Sequence, residues 1–186
     1  MEFATAFREK EELNQYWYSQ QTIQYLALEI LRQTPTAVAF LSTPTLFYAC
    51  EDLSKKTQDA GAARAELVLF DYDAALPRVV HYDFHEPTNV SPGFEHHFDF
   101  VVIDPPFITE EVWTKYAMSA RYLLAPHGKL LLTTIAENAS LMERLLGCTL
   151  RRFQPSIPHL VYQYGTYANY ESEALDQVNP EIPQDD

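Results

Sequence analysis

An uninterrupted apolar segment followed by a rigid polar turn is the feature of this chain that most constrains its fold. Residues 98–103 have the sequence Phe-Asp-Phe-Val-Val-Ile, and Asp104, Pro105, Pro106 and Phe107 follow directly. Such a run is typical of a strand buried on both faces, as in parallel sheets covered by helices on both sides. Two consecutive prolines have fixed φ angles and no N–H donors, so they do not continue the strand. The segment predicts a central strand that ends in a loop of fixed shape.

Segments with strand and helical periodicity alternate along the rest of the chain. Strands are predicted over 37–41, 66–70, 79–82, 98–103, 129–135, 149–153 and 160–164. Helices are predicted over 20–33, from Pro44 to about residue 53, from the cap Thr109 to about residue 124, over 139–146, and briefly within 1–14. This alternation predicts an α/β fold, a doubly wound Rossmann-like sheet that is mostly parallel and ends in a C-terminal antiparallel hairpin.

The charge of the chain limits the partners that it can bind. The 186 residues include 13 Lys and Arg and 26 Asp and Glu, which gives a formal net charge of −13. We expect one domain over 1–172 with an N-terminal arm over 1–18, and an acidic, disordered tail over 173–186. A surface that holds a nucleic-acid backbone is basic. The charge therefore favours a basic protein over nucleic acid as a partner, although it also fits a role in solubility alone.

Several other features of the sequence predict the location, the thiol state, the metal content and the oligomeric state of the protein. No apolar run approaches the roughly 18–20 residues that span a bilayer, and the N-terminus lacks a signal-peptide pattern, so we expect a cytoplasmic protein without a membrane partner. Cys50 and Cys148 are far apart in apolar surroundings, which favours buried, reduced thiols. The histidines between residues 81 and 97 match no common zinc spacing, and we predict no metal. We expect the chain to be a monomer.

Polar or constrained residues follow each of the first four predicted strands. They are Ser42, Thr43, Pro44, Asp71, Asp83 and Asp104. The carboxyl ends of parallel strands meet at one crevice of a doubly wound sheet, so we expect these residues to line a single ligand site. An isolated Asp after a strand is usually a turn or cap residue, but four consecutive strand ends of this kind favour a binding site.

The spacing of the acidic residues suits a nucleoside ligand. A carboxylate at the end of the second strand accepts hydrogen bonds from two adjacent ribose hydroxyls, and Asp71 is the expected anchor. Asp73 is the alternative, and Tyr72 lies between the two. Asp83 would accept a hydrogen bond from the exocyclic amine of adenine, with the Phe84 ring packed on the base. Packing in the core explains Phe84 nearly as well.

The segment Asp104-Pro105-Pro106-Phe107 is the predicted catalytic segment. An amine that attacks a sulfonium methyl group must present its lone pair in line, and the Asp104 side chain and the Pro105 carbonyl are suited to accept its hydrogens. Phe107 offers a flat face for a base or for a cationic sulfonium. These residues predict an enzyme that uses S-adenosylmethionine to methylate a planar or near-planar nitrogen. Such a reaction needs alignment and desolvation more than acid–base machinery.

Three aromatic residues before the first helix are predicted to cover the substrate pocket. They are Tyr16, Trp17 and Tyr18. A lysine nucleophile must first lose a proton from a pKa of about 10.4, and an aromatic, desolvating pocket favours the neutral amine. Packing of the arm on the core is the alternative role, and it is the expected one for at least one of the three.

With these motifs, the chain resembles the eukaryotic elongation factor 1A lysine methyltransferases, a class I methyltransferase family once described as putative N6-adenine DNA methyltransferases. The resemblance covers about residues 13–170 and rests on segments 15–19, 41–45, 70–73, 82–84, 104–107 and 167–170. The family has Ser-x-Pro in place of the usual glycine-rich turn, as at Ser42-Thr43-Pro44. Asp71 takes the place of a family Glu, and the stretch 74–80 is shorter than the family pattern.

The resemblance implies S-adenosylmethionine as the cofactor and a lysine of elongation factor 1A, a basic protein, as the acceptor. Two alternatives stay open. A nucleic-acid adenine-N6 methyltransferase uses the same Asp-Pro-Pro-aromatic segment, but it needs base flipping and a basic channel for the backbone. A non-catalytic protein of this fold that only binds a partner would tolerate loss of the site residues.

Overall fold

The strands of the sheet follow the order β3-β2-β1-β4-β5-β7-β6. The computed structural model describes residues 6–57 and 63–184, so residues 1–5 of the predicted N-terminal helix lie outside the described part. The strands are β1 (Ala37–Leu41), β2 (Glu66–Asp71), β3 (Val79–His81), β4 (Phe98–Ile103), β5 (Leu124–Ile135), β6 (Thr149–Leu150) and β7 (Tyr164–Ala168). Strands β1 to β5 are parallel to one another, and β7 is antiparallel to both β5 and β6. The predicted doubly wound α/β fold with an antiparallel C-terminal pair is confirmed.

Two hydrophobic clusters cover the two faces of the sheet. The helices are α1 (Gln20–Arg32), α2 (Pro44–Lys56), α3 (Glu110–Leu123) and α4 (Ala139–Leu146), with short 3₁₀ turns at Glu11–Leu13, Pro92–Phe94 and Ala136–Asn138. Helices α1 and α2 pack on one face and α3 and α4 on the other. Val38 and Phe40 of β1 point into the first cluster, whereas Ala39 and Leu41 point into the second. Burial on both faces explains why β1 and β4 are apolar throughout.

Local sequence signals determine where the helices begin and end. Ser19 accepts a hydrogen bond from the Thr22 N–H at the start of α1, and Thr109 caps α3 in the same way. Pro44 opens α2, where its missing N–H costs nothing. Gly147 ends α4 in a left-handed conformation with φ of 64°. These boundaries agree with the sequence-based expectations to within a few residues.

The positions predicted for the last two strands were wrong. Only Thr149–Leu150 of the predicted strand 149–153 is extended, and 160–164 is a loop up to the first residue of β7. The strand pattern of β7 was missed because it contains Gly165, and glycine weakens a strand pattern. A Cβ at residue 165 would lie 2.4 Å from Leu150 Cδ1, so a larger residue there requires the Leu150 side chain to shift.

The tail predicted to be disordered is packed against the domain over residues 173–184. Leu175 is fully buried, and its carbonyl accepts a hydrogen bond of 2.8 Å from the Phe153 N–H. Glu181 accepts hydrogen bonds from Ser19 Oγ at 2.6 Å and from Thr22 Oγ1 at 3.1 Å, at the start of α1. The acidic composition of the tail predicted a solvated, disordered segment. The burial of Leu175 and the hydrogen bonds of Glu181 instead hold the tail against the domain. Residues 185–186 lie outside the described part.

Both cysteines are buried free thiols, as expected, and burial raises the pKa of Cys148 to about 12 and that of Cys50 further. In the described ranges, every helix is too short or too polar to cross a membrane.

Replacing Leu175 tests whether the tail contributes to folding. We expect Leu175→Ala to lower the free energy of unfolding by about 2–5 kcal/mol, because it leaves a cavity in the core. The exposed Leu28→Ala on α1 is the matched control and should change it by less than about 1 kcal/mol. Urea denaturation measures both variants, and equal midpoints for Leu175→Ala and the wild type would contradict the packing of the tail.

Candidate active site

A large cavity opens at the carboxyl ends of β1 to β4. Its volume is about 590 Å³, within the roughly 300–1,000 Å³ of small-molecule sites. Every site residue predicted from the sequence lines it: Tyr16, Trp17, Tyr18, Ser42, Thr43, Pro44, Asp71, Tyr72, Asp83, Phe84, Asp104, Pro105, Pro106 and Phe107. The structure thus brings these side chains together, while the role of each stays a prediction.

Sequence reasoning missed part of the cavity wall. The missed residues include Asn14, Tyr116, Ile157, Leu160, Tyr162 and Tyr164, which line the cavity, and Thr133, which lies beside Asp104. Ile103 of β4 pairs with Leu132 of β5, so Thr133, the next residue of β5, lies at the level at which Asp104 follows β4. Two polar residues at the end of the apolar run in β5 were the available signal for Thr133. The loop before β7 has no periodicity and gave no signal.

The turn after β1 replaces a glycine-rich loop with a strained serine. Ser42 has φ of 57°, a left-handed conformation that costs a non-glycine residue about 1–3 kcal/mol. Two hydrogen bonds hold it there: the Ser42 N–H donates to the Phe70 carbonyl at 2.8 Å, and Ser42 Oγ lies 2.7 Å from the Tyr116 hydroxyl. The turn is therefore fixed by its neighbours rather than by glycine.

The next residue, Thr43, lines the cavity and has a hydroxyl group without a hydrogen-bond partner among the described residues. Thr43 is buried. It precedes α2, whose first N–H groups have no intrahelical acceptors and give the helix start a partial positive charge. A buried polar atom without a partner is costly unless a ligand satisfies it. This corner suits a ligand group that accepts hydrogen bonds, such as a carboxylate.

Asp71 and Asp73 have different surroundings. Asp71 lines the cavity, and its Oδ1 accepts a hydrogen bond of 2.9 Å from the Asp73 N–H. Burial raises the pKa of Asp71 to about 6. Asp73 instead binds the arm, with Lys10 Nζ at 2.8 Å and Gln15 Nε2 at 3.0 Å, and these contacts outweigh the upward effect of burial, so its pKa is lowered. The geometry thus favours Asp71 over Asp73 as the ligand-binding carboxylate.

After β3, the Asp83 carboxylate lies beside the aromatic side chains of Phe84 and His85. Asp83 Oδ1 accepts from the His85 N–H at 2.9 Å and lies 2.7 Å from His85 Nδ1, and these hydrogen bonds lower the pKa of Asp83. The Phe84 ring stacks on His85 at 4.2 Å and meets Phe107 edge-on at 6.4 Å. Phe84 is half-buried, so it both packs on the core and faces the cavity.

Asp104 lies beside two hydroxyl groups. Its N–H donates to the Leu41 carbonyl at 3.2 Å, which fixes the backbone after β4. The hydroxyls of Tyr18 and Thr133 lie 2.6 Å from each other. Burial raises the pKa of Asp104 to about 7, and the two hydroxyl groups oppose this rise. A carboxyl group with this pKa changes its charge near neutral pH.

The N-terminal arm contacts the segment Asp104–Phe107. Asn14 Nδ2 donates a hydrogen bond to the Pro106 carbonyl. Trp17 binds within the arm, since its Nε1 donates to the Phe7 carbonyl at 3.1 Å and its N–H to Glu9 Oε1 at 2.7 Å. Tyr18 is buried, and its hydroxyl lies 2.6 Å from Thr133 Oγ1. The packing role considered for these aromatic residues therefore suits Trp17 best.

The cavity wall is acidic and aromatic. Its acidic side chains are Glu12, Asp71, Asp83 and Asp104, and within the described residues it includes no Lys or Arg. Three of its aromatic side chains, Tyr72, Phe107 and Tyr162, are exposed at the rim. The described ranges contain no group of three or more His, Cys, Asp or Glu side chains that could hold a metal ion.

Solved structures share this fold at low sequence identity. A putative O-methyltransferase from Nostoc punctiforme aligns with a TM-score of 0.54 and 13% identity, over 80% of this chain and 56% of that one. The N-methyltransferase NodS from Bradyrhizobium japonicum, in complex with S-adenosylhomocysteine, aligns with a TM-score of 0.51 and 14% identity, over 82% of this chain and 87% of that one. Together, the sheet order and these alignments show that the chain shares the fold of these methyltransferases.

The chain belongs to the family described as probable N6-adenine methyltransferase, whose model matches residues 9–172. Among curated relatives, the EEF1A lysine methyltransferase 1 of Danio rerio is 30% identical over 88% of this chain and 99% of its own length. The protein-lysine N-methyltransferase EFM5 of Saccharomyces cerevisiae is 30% identical over 81% of this chain and 61% of its own length. The family resemblance found in the motifs is therefore confirmed.

A pair of aspartate variants tests the assignment of the ribose-binding carboxylate. We expect Asp71→Ala to weaken S-adenosylmethionine binding at least about tenfold, because hydrogen bonds to a charged acceptor contribute about 1.5–3 kcal/mol. Asp73→Ala should stay within about threefold of the wild type, since Asp73 binds the arm rather than the cavity. Calorimetry measures both dissociation constants, and the reverse order would assign the anchor to Asp73.

Proposed function

We propose that this protein transfers the methyl group of S-adenosylmethionine to the side-chain amine of a lysine in elongation factor 1A. The observation that carries the proposal is the cavity wall, where acidic and aromatic side chains surround Asp104 and the described lining has no Lys or Arg. Such a wall attracts a cationic side chain and repels phosphate. The names of the curated relatives support a lysine acceptor.

Three regions of the cavity wall suit the ribose, the adenine and the carboxylate of S-adenosylmethionine. Asp71 would hold the ribose hydroxyls, and Asp83 with Phe84 would hold the adenine. The unpartnered Thr43 Oγ1 and the start of α2 would receive the carboxylate end. When bound, the cofactor supplies a methyl group that its sulfonium charge has already activated. The protein therefore has to align the acceptor amine and exclude water.

Asp104 is the group suited to orient the amine. Its carboxylate accepts amine hydrogens when it is ionised, and this state predominates above its pKa of about 7. The buried aromatic surroundings favour the neutral form of a lysine amine, which has the lone pair that attacks the methyl group. Phe107 and Tyr18 border this end of the cavity.

The rim of the cavity suits a polypeptide. Val161 is 92% exposed, Tyr162 is 60% exposed and Phe107 is 48% exposed, a concentration of apolar surface beside the opening. Glu12 lies in the cavity wall, and Glu11 is exposed beside it. Apolar contacts from the rim and charge contacts from the acids would together bind a basic segment around the target lysine.

Methyl transfer to purified elongation factor 1A is the direct test. We expect mass spectrometry to find a methylated lysine after incubation with protein and cofactor, and Asp104→Ala to lower the rate at least about a hundredfold, because the amine loses its acceptor. Cofactor binding by that variant should stay within about threefold of the wild type, as measured by calorimetry.

Three outcomes would contradict the proposal. Transfer to DNA or RNA without transfer to elongation factor 1A would favour the adenine chemistry that the family description names. Unchanged turnover by Asp104→Ala would remove Asp104 from the reaction. Lack of cofactor binding by the wild type would favour a non-catalytic binding protein.

Variants at the rim test recognition of a protein acceptor. We expect the double variant Val161→Ser and Tyr162→Ala to raise KM for elongation factor 1A about tenfold with little change in kcat, because binding is lost equally in the ground and transition states. Leu150→Ala, an exposed apolar residue of β6 that is not part of the cavity wall, is the matched control. An equal KM for the double variant and the control would exclude the rim from acceptor binding.

A further inference from the structure

The loop that follows β4 has few backbone hydrogen bonds of its own. Pro105 and Pro106 lack N–H groups, and across the described residues no backbone–backbone hydrogen bond involves positions 105–108. The Asp104 N–H is bonded to β1 before this stretch, and Thr109 caps α3 after it. The backbone between these two points therefore needs side-chain partners to fix its path.

Two asparagine amides from separate elements provide hydrogen bonds to this loop. Asn14 Nδ2 of the N-terminal arm donates to the Pro106 carbonyl. Asn138 Nδ2, in the residue before α4, donates to the Ile108 carbonyl at 2.9 Å. The donors are 92 and 30 positions away from their acceptors in the sequence. The loop is therefore held by contacts that form only in the folded domain.

Asn138 departs from the usual role of an asparagine at its position. The side chain of a residue directly before a helix normally accepts a hydrogen bond from the first helical turn, but Asn138 makes no such bond. Its two amide hydrogens are instead donated to the Ile108 carbonyl and, at 3.0 Å, to Thr134 Oγ1. Thr134 is fully buried and also accepts from Trp113 Nε1 at 3.2 Å. The Asn138 amide is thus fixed between the core and the loop.

Asn14 is also held in place by its own surroundings. Its φ is 53°, a left-handed conformation that asparagine tolerates better than most residues, and its N–H donates to the Glu11 carbonyl at 2.9 Å. The next residue, Gln15, donates from Nε2 to Asp73 Oδ2 at 3.0 Å. Asn14 lines the cavity. The donor to Pro106 therefore lies on a part of the arm that is anchored independently of the loop.

We propose that Asn14 and Asn138 are positioning residues that hold the loop after β4 in the shape required for methyl transfer. Their amides occupy the carbonyls of Pro106 and Ile108, whereas no donor among the described residues occupies the Pro105 carbonyl. That carbonyl is left to accept a hydrogen of the substrate amine. The inference rests on the proposed function, because it concerns the same amine site.

The position of this loop controls the alignment of the amine. The Pro105 carbonyl and the Asp104 carboxylate belong to consecutive residues, so a shift of the loop displaces both proposed acceptors together. Misplacement of a reacting group by about 1 Å can cost about a hundredfold in rate. The proposed cofactor contacts at Thr43, Asp71 and Asp83 lie on other strand ends. We therefore expect loss of either amide to slow the reaction with little change in binding.

The sequence allows the two hydrogen bonds to be observed separately by NMR. Residues 106–107 are the only Pro-Phe pair in the chain, and residues 108–109 are the only Ile-Thr pair. Carbonyl carbon-13 proline combined with nitrogen-15 phenylalanine therefore gives one HNCO signal, which reports the Pro106 carbonyl. The corresponding labels in isoleucine and threonine report the Ile108 carbonyl. A carbonyl carbon signal moves upfield when the carbonyl loses a hydrogen bond.

The NMR test uses the full chain without cofactor at neutral pH. We expect the Pro106 signal to move upfield in Asn14→Asp, which keeps the side-chain shape, and in Asn14→Gly, which keeps the left-handed backbone. The Ile108 signal should move upfield in Asn138→Asp, because a carboxylate has no hydrogen to donate. An unchanged Pro106 signal in both Asn14 variants, or an unchanged Ile108 signal in Asn138→Asp, would overturn the proposal.

Kinetics test whether the loop position matters for the reaction. We expect kcat for elongation factor 1A to fall at least about tenfold in Asn14→Asp and in Asn138→Asp, because the amine is misaligned. KM for the protein substrate and the dissociation constant of S-adenosylmethionine should stay within about threefold of the wild type. The stoichiometry of cofactor binding in calorimetry gives the folded fraction, and kcat is expressed per binding site. Values of kcat equal to that of the wild type in both variants would refute the positioning role.

Asn169→Asp is the matched control. Asn169 Nδ2 donates to the Gly128 carbonyl at 3.1 Å, in a turn outside the cavity wall. This variant makes the same change in shape and charge, and its kcat per binding site should stay within about twofold of the wild type. A loss as large as in Asn14→Asp and Asn138→Asp would show a general effect of exchanging an amide for a carboxylate and would overturn the proposal.

The results separate this inference from the proposed function. If the wild type fails to methylate elongation factor 1A, the function is wrong, and the carbonyl signals still decide whether the two amides hold the loop. If the wild type methylates the lysine and the carbonyl signals move without a change in kcat, the function holds and the positioning role is wrong.

Discussion

The site depends on the way that hydrogen bonding between parallel strands continues past the ends of β1 and β4. The Ser42 N–H donates to Phe70 and the Asp104 N–H donates to Leu41, so each residue after a strand is still tied to the neighbouring strand. This fixes a left-handed serine and a half-buried carboxylate at the point where the strand order reverses, which is where ligands bind in doubly wound sheets. The prolines that follow give both loops a fixed direction.

The sequence predicted best those parts of the fold in which both faces of an element are buried. Strands β1 and β4 are apolar throughout, so their bounds could be predicted, and the polar residues after them lie in the cavity. Strand β7 is equally buried, but Gly165 interrupts its pattern of strand-forming residues. Thr133 could not be predicted as a neighbour of Asp104, because their proximity depends on the register between β4 and β5. Register is a property of the sheet rather than of either segment.

The family description and the names of the relatives differ in the acceptor, and the role proposed for Asp104 suits both. A carboxylate that accepts amine hydrogens would hold an amine whether it belongs to a base or to a lysine. The surroundings make the distinction, because a nucleic acid must also place its phosphates. Here the described wall of the cavity has acids and exposed aromatic side chains where a phosphate backbone would need Lys or Arg.

One contact that holds the segment beside the arm can form only late in the synthesis of the chain, because it comes from the tail. Glu181 holds Ser19, and Ser19 directly follows Tyr18, so a residue near one end of the sequence secures the segment near the other. During synthesis, Tyr18 emerges long before Glu181 exists. The crevice between β1 and β4 needs only residues up to β4 for its own strands, whereas the contact of Ser19 with Glu181 waits for the tail. The ribosome therefore releases the strands of the crevice earlier than the last residue that anchors the segment after the arm.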